Sequence, residues 1–153
     1  MTKLNKIYNY LQLDENLATG GQPSAEELAL IARQNYQLVI NLALPTSDNA
    51  LPDERAVVES LGMRYEHIPV AWERPLHEDF KRFTEIMQQH AHTKRFVHCA
   101  ANMRVSVFVA LYRVVVQGWT YQSAMQDVDK IWNPNPVWLN FIREQLDWPR
   151  LEP

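Results

Sequence analysis

The stretch VHCAANMRVS, Val97 to Ser106, places the only cysteine of the chain between an apolar segment with strand character and the most apolar helical segment of the sequence. The first backbone N–H groups of a helix have no internal acceptor and carry the positive end of its dipole. A loop that enters a helix at this point is suited to hold an anion, and a thiol within it ionises more readily. Arg104 adds a fixed cation whose planar fork matches the oxygens of a phosphate or sulfate. Asn102 is one of the few non-glycine residue types that tolerate a left-handed backbone, which a tight anion-cradling loop requires. Ser106 stands where its hydroxyl can donate to a thiolate or to a leaving sulfur. A lone cysteine is on average an inert buried thiol, and a serine at a helix start is on average a cap. It is the order strand, Cys99, Asn102, Arg104, Ser106, helix that points to chemistry.

On either side of this stretch, Arg95 to His98 reads as a short strand and Val105 to Val116 as a helix apolar nearly all round, buried in the middle of a domain and ended by Gly118. Upstream, Ser24 and Glu27 make a capping box before Leu28, Ile31 and Ala32, which predicts a helix over Pro23 to Gln34. The β-branched apolar run from Gln37 to Leu44 predicts a buried strand. Asp53 to Leu61 has helical spacing and stops at Gly62, and Arg64 to Val70 reads as a further strand. Leu76 to Gln89 puts Phe80, Phe83, Ile86 and Met87 on one face of a helix. Thr120 caps a helix through Ile131, the turn Asn133 to Pro136 breaks it, and Val137 to Leu146 makes a last helix with Trp138, Phe141 and Ile142 inward. Strands alternating with helices predict an α/β fold, a central and mostly parallel sheet of about four or five strands with helices on both faces.

The 153 residues and 17.9 kDa are one domain's worth of chain, read here as a single domain over residues 1–153. A composition of 46% hydrophobic and 22% charged residues excludes a disordered or low-complexity chain. With 15 Lys and Arg against 18 Asp and Glu, the chain lacks the basic excess of a dedicated nucleic-acid binder. A single Cys99 supplies neither an internal disulfide nor a Cys-pair zinc site, which fits a reducing compartment and a cytoplasmic protein. His90 and His92 are two apart and share no helical face, so no metal is expected. The longest apolar run, Val105 to Val116, is broken by Arg113 and is too short to span a bilayer, so no membrane partner is expected either. Trp119, Trp132 and Trp138 lie beside periodic apolar positions and are expected in the core. Trp72 either walls the site or staples its loop, and the aromatic C-terminal helix with Trp148 leaves the oligomeric state open.

The motif His98-Cys99 followed by Arg104 and Ser106 in a loop at a helix N-terminus resembles that of the cysteine-based phosphatases, specifically the dual-specificity-like branch and its bacterial relatives. The likeness extends upstream through GGQPSAEELALIARQNYQLVINL and LGMRYEHIPV and downstream through GWTYQSAMQDVDKIWNPNPVWLNFIREQL, which covers most of the chain. The resemblance implies a dual-specificity phosphatase-like fold and metal-independent hydrolysis of a phosphate ester, with no cofactor, on a phosphorylated small molecule or a phosphoprotein. It implies Cys99 as the nucleophile that forms a cysteinyl-phosphate, Arg104 and the loop amides as holders of the equatorial oxygens, and Ser106 as an aid to thiolate departure. His98, Ala100, Ala101, Asn102, Met103 and Val105 would complete the phosphate-binding loop, with His98 orienting it from behind.

The sequence also departs from that family. Four residues, Ala100 to Met103, separate Cys99 from Arg104 where the family has five, and the loop holds none of the usual glycines. The family's general acid is an aspartate after the strand that matches Tyr65 to Val70. Here that loop reads AWERPLHED and its nearest carboxylate is Glu73, which serves as the acid or is a solvated loop charge. A four-residue spacing also suits a rhodanese-like sulfurtransferase, in which the cysteine carries a persulfide and no acid is needed. The remaining alternative is a catalytically silent domain that binds a phosphorylated ligand without turnover.

Overall fold

Each helix expected from the sequence is present, and the caps expected at Ser24, Gly62, Thr120 and Gly118 are made. The computed structural model describes residues 3–151, with side chains as far as residue 147. α1 (Ala25–Arg33) starts at Ser24, whose hydroxyl accepts the Glu27 N–H while the Glu27 carboxylate accepts the Ser24 N–H. α2 (Glu54–Ser60) and α3 (His77–Gln89) connect the middle strands, and α4 (Met103–Val115), α5 (Tyr121–Ile131) and α6 (Pro136–Leu151) follow the last. The Thr120 hydroxyl accepts the Ser123 N–H at the start of α5. Gly62 and Gly118 take φ of 84° and 76° just beyond α2 and α4, the left-handed turn that glycine makes without strain.

Strands β1 (Leu11–Asp14), β2 (Leu17–Gly20), β3 (Leu38–Asn41), β4 (Arg64–His67) and β5 (Arg95–His98) form one sheet in the order β1-β2-β5-β3-β4. β2, β5, β3 and β4 run parallel, and β1 pairs antiparallel with β2. The fold is the expected α/β arrangement, with β1 and β2 added from a segment that carries no strong strand pattern. β2 is buried along its whole length because β5 needs a neighbour on that side, so its place in the sheet comes from pairing. α4 begins at Met103, two residues before the apolar run.

Side chains alternate between the two faces of the sheet. Val39, Tyr65 and Phe96 pack with Leu28, Ile31 and Val58 under α1 and α2. Leu38, Ile40 and Val97 pack with α3, α4 and α6 on the other face, where Phe108 and Trp138 are fully buried. Trp119 departs from the core expectation: it is 40% exposed and the Arg113 guanidinium lies 4.2 Å from its ring centroid. The flat guanidinium covers one face of that indole and leaves the rest in water. Among the described residues no helix is long and apolar enough to cross a membrane. The side chain of Trp148 and residues 1, 2, 152 and 153 lie outside the described residues.

Candidate active site

The parallel strands all end at the same edge of the sheet, and the chain from β5 turns there into α4. Cys99 follows β5 directly, is 1% exposed, and its N–H points at the Gly20 carbonyl at 3.3 Å. Asn102 ends the loop in the left-handed region, with φ of 65°, so the turn expected at this residue is made there. Its amide nitrogen donates to the Asn9 carbonyl at 2.8 Å and to the Thr19 hydroxyl at 3.0 Å, fixing the loop to the start of the chain and to β2.

What shapes the loop is where its carbonyls go. The Cys99 carbonyl faces His98 Nδ1 at 3.2 Å. The Ala100 carbonyl accepts the Gln22 N–H at 3.2 Å and the Asn49 side-chain amide at 3.1 Å. The Ala101 carbonyl accepts the Asn9 side-chain amide at 3.0 Å. In a planar trans peptide the next N–H points opposite to the carbonyl. The outward Cys99 and Ala100 carbonyls therefore direct the N–H groups of Ala100 and Ala101 to the other side of the loop, while the bridge between Gly21 and Ala101 turns the Asn102 N–H toward β2. The first N–H consumed within α4 is that of Ser106, by the Asn102 carbonyl at 2.9 Å, so those of Met103, Arg104 and Val105 have no acceptor inside the helix. These amides lie in succession along a single turn of chain next to a thiol, which is the arrangement an oxyanion requires.

Arg104, in the first turn of α4, is 6% exposed. Its Nη1 donates to the Val70 carbonyl at 2.8 Å, so the guanidinium reaches across the strand ends to the point where the chain leaves β4. The rest of the fork has no other hydrogen-bond partner among the described residues. Ser106 is oriented away from the role expected of it. Its hydroxyl donates to the Met103 carbonyl at 2.6 Å and accepts the Trp132 indole N–H at 3.0 Å. It must rotate off that carbonyl to reach a sulfur.

Glu73 is exposed in the turn Ala71–Arg74, which the Arg74 N–H closes onto the Ala71 carbonyl at 3.2 Å. Trp72 staples this turn to the helices: its ring lies 5.2 Å from Trp132 and 5.9 Å from Trp138, and its carbonyl accepts the Trp138 indole N–H at 2.9 Å. Arg104, Ser106 and the Glu73 turn are thus tied together through Val70 and three tryptophans.

A buried polar cluster stands behind the loop on the α1 and α2 face. His98 Nε2 lies 2.6 Å from Glu54 Oε2, and His98 is 0% and Glu54 6% exposed. Gln22 donates to the other carboxylate oxygen at 2.7 Å. Burial pushes the Glu54 carboxyl up, but the hydrogen bonds and charge of His98 and the Gln22 amide outweigh it, leaving Glu54 below the ordinary carboxylate range. Tyr65 stands beside this cluster, with Asn41 donating to its hydroxyl at 3.0 Å, and burial pushes its phenol up to about 12. The sequence reading did not single out Glu54. An acidic residue in the first turn of a helix is ordinary for its effect on the dipole alone, and nothing local marks this one as buried.

The family model PTP-NADK, described as DSP-PTPase phosphatase fused to NAD+ kinase, matches residues 5–135. A crystal structure of a phosphatase candidate (DUF442) from Shewanella putrefaciens is similar with a TM-score of 0.82 and 32% identity, covering 93% of each chain. The dual specificity protein phosphatase TpbA of Pseudomonas aeruginosa is 25% identical over 126 residues, 80% of this chain and 54% of TpbA. The chain thus spans about half the length of the TpbA relatives it matches. A structure of TpbA in complex with phosphotyrosine has a TM-score of 0.76 at 21% identity, over 99% of this chain and 92% of that one, a likeness of fold. The sulfurtransferase alternative finds no support among these matches. With the family model spanning residues 5–135 and the Shewanella relative similar along nearly its whole length, the chain belongs to the DSP-PTPase phosphatases, in the group described as fused to NAD+ kinase.

Proposed function

We propose that the protein is a metal-independent phosphatase that hydrolyses a phosphate ester through a cysteinyl-phosphate on Cys99. The observation that carries this reading is the outward anchoring of the Cys99 and Ala100 carbonyls, which leaves successive amides for the equatorial oxygens of a phosphoryl group. The thiolate attacks phosphorus, the S–P bond forms, and the ester P–O bond breaks. Glu73 donates the proton to the leaving oxygen and then accepts one from the water that cleaves the S–P bond. Arg104 holds the oxygens with the part of its fork that Val70 does not occupy. Ser106 turns to the sulfur as it leaves. Met103 and Val105 contribute main-chain amides, and His98 braces the loop.

The substrate class is a phosphorylated small molecule or a phosphoprotein. The TpbA complex with phosphotyrosine supports an aryl phosphate as the first compound to try. Such a leaving group depends least on the exposed acid at Glu73. A lone cysteine with no disulfide supports the reducing cytoplasm as the place of action.

The test is hydrolysis of an activated aryl phosphate across about pH 5 to 8 with chelator present, comparing wild type with Cys99→Ser. Chelator-resistant turnover that Cys99→Ser abolishes is the expected result. A wild-type rate no higher than that of Cys99→Ser overturns the reading and leaves phospho-ligand binding without turnover.

A further inference from the structure

The pairing at His98 has a consequence for the charge beside Cys99. His98 Nδ1 faces the Cys99 carbonyl at 3.2 Å and Nε2 faces the Glu54 carboxylate at 2.6 Å. A carbonyl oxygen only accepts, and an ionised carboxylate only accepts, so a ring between the two donates from both nitrogens. We propose that Glu54 is a positioning residue that holds His98 as a doubly protonated imidazolium, so that a buried cation clamps the Cys99 carbonyl and favours the Cys99 thiolate. This deepens the reading of Cys99 as the working nucleophile and rests on it.

The geometry leaves the pair little freedom. Gln22 grips Glu54 Oε1 with its side chain at 2.7 Å and the Ala100 carbonyl with its main-chain N–H at 3.2 Å. Glu54, Gln22, the loop and His98 thereby form a closed ring of hydrogen bonds. Both partners are buried, and the His98 ring centroid lies 6.4 Å from that of Phe96, so a lone imidazolium would be poorly solvated. A charge of either sign is tolerated there only as half of the pair.

The other titratable groups around the pair are few. Tyr65 and His67 of β4 act on Glu54, and the Tyr65 phenol, which burial pushes up to about 12, carries no charge at neutral pH. Arg55 of α2 lies 5.0 Å from the Tyr65 ring centroid and donates to the Tyr65 carbonyl. Arg104 follows the loop on α4 and has its own partner in Val70. Among these, Glu54 alone makes a hydrogen bond to His98.

Two measurements on the full chain test the proposal without needing any substrate. Nitrogen NMR of the histidine rings, with His98→Asn to assign the signal, is expected to show both His98 nitrogens protonated at neutral pH. An unprotonated Nε2 there, the signature of a neutral ring accepting from a protonated Glu54, overturns it. The ultraviolet absorbance of the thiolate belongs to Cys99 alone, and Cys99→Ser supplies the blank. In Glu54→Gln the amide oxygen can still accept from Nε2, but the charge that holds the imidazolium is gone. The expected result is about tenfold less thiolate at a pH below the wild-type midpoint, a shift of the midpoint upward. An unchanged or lower midpoint overturns the proposal, since a merely structural Glu54 would not move it upward. Should Glu54→Gln fold poorly, an unprotonated Nε2 in the wild-type spectrum still overturns the proposal. Loss of the phosphatase reading would show as absent turnover with both signals intact.

Discussion

At the scale of single residues, two positions around the loop carry most of the constraint. Gly21 faces the loop across a bridge to Ala101, and a Cβ on it would lie 2.8 Å from the Ala100 carbonyl oxygen. Gly21→Ala must push that carbonyl off Gln22 and Asn49, so a destabilisation of about 1–3 kcal/mol is expected, with a larger proportional loss of aryl phosphatase activity. Denaturant unfolding and a rate assay on the same sample separate the two. Asn102 combines a left-handed backbone with two hydrogen bonds from its side chain. Asn102→Gly loses only the bonds, whereas Asn102→Ala also adds backbone strain. Alanine is therefore expected to be less stable than glycine by about 1 kcal/mol, the reverse of their order in a helix. Equal stabilities would show that the backbone there is not strained. The turn at Asn102 was readable from residue type, and so was the place of Cys99. The partners Asn9, Asn49 and Gln22 were not, because they lie far away in sequence and are ordinary polar residues until the fold assembles them.

At the scale of elements, α4 and α5 are clasped by charge. Arg113 Nη1 lies 2.6 Å from Asp127 Oδ2, and Lys130 Nζ lies 2.9 Å from Asp127 Oδ1. Partial burial pushes the Asp127 carboxyl up, but the two cations outweigh it and hold it below its ordinary 3.8. A carboxyl with a lowered folded value contributes stability that is fully present above 3.8 and lost as the pH falls through the folded value below that. Asp127→Asn is expected to cost about 1–3 kcal/mol near neutrality because it leaves the buried Arg113 without its counter-charge. The gap between variant and wild type should close as the pH drops below that range, and a Tm difference that persists there would show that packing makes the contribution. Helix ends were legible in the sequence because caps are local: Ser24, Thr120, Gly62 and Gly118 act on their own turns. β1 and β2 were not legible, since LQLD and LATG acquire strand geometry from pairing across the sheet.

At the scale of the molecule, the helices behind α4 reach the acid turn through an aromatic cluster. Trp138 is fully buried, with ring centroids 5.9 Å from Trp72, 6.2 Å from Trp132 and 5.6 Å from Phe141. Trp138→Ala is expected to cost about 3–5 kcal/mol through the cavity it leaves. Trp138→Phe keeps much of the packing but strips the Trp72 carbonyl of its donor. It is expected to lose activity in excess of its loss of stability, since the Glu73 turn is freed. Thermal unfolding against kcat for the phenylalanine variant checks this, and an activity loss no larger than the stability loss implies would refute a link between the cluster and the turn.

From sequence alone came the alternation of helix and strand, the position of the thiol at a strand-to-helix junction, and the left-handed residue that closes its loop. All of these depend on neighbours within a few residues, where periodicity, caps and backbone preference act directly. Tertiary structure alone decided that Arg104 leans on Val70, that the Ser106 hydroxyl faces Met103, and that Glu54 meets His98 from 44 residues away. Those contacts depend on which strands pair and which helix faces which side of the sheet, and no local pattern encodes either. The chemistry-bearing residues could be read off the chain; the charges and hydrogen bonds that tune them exist only once the sheet is built.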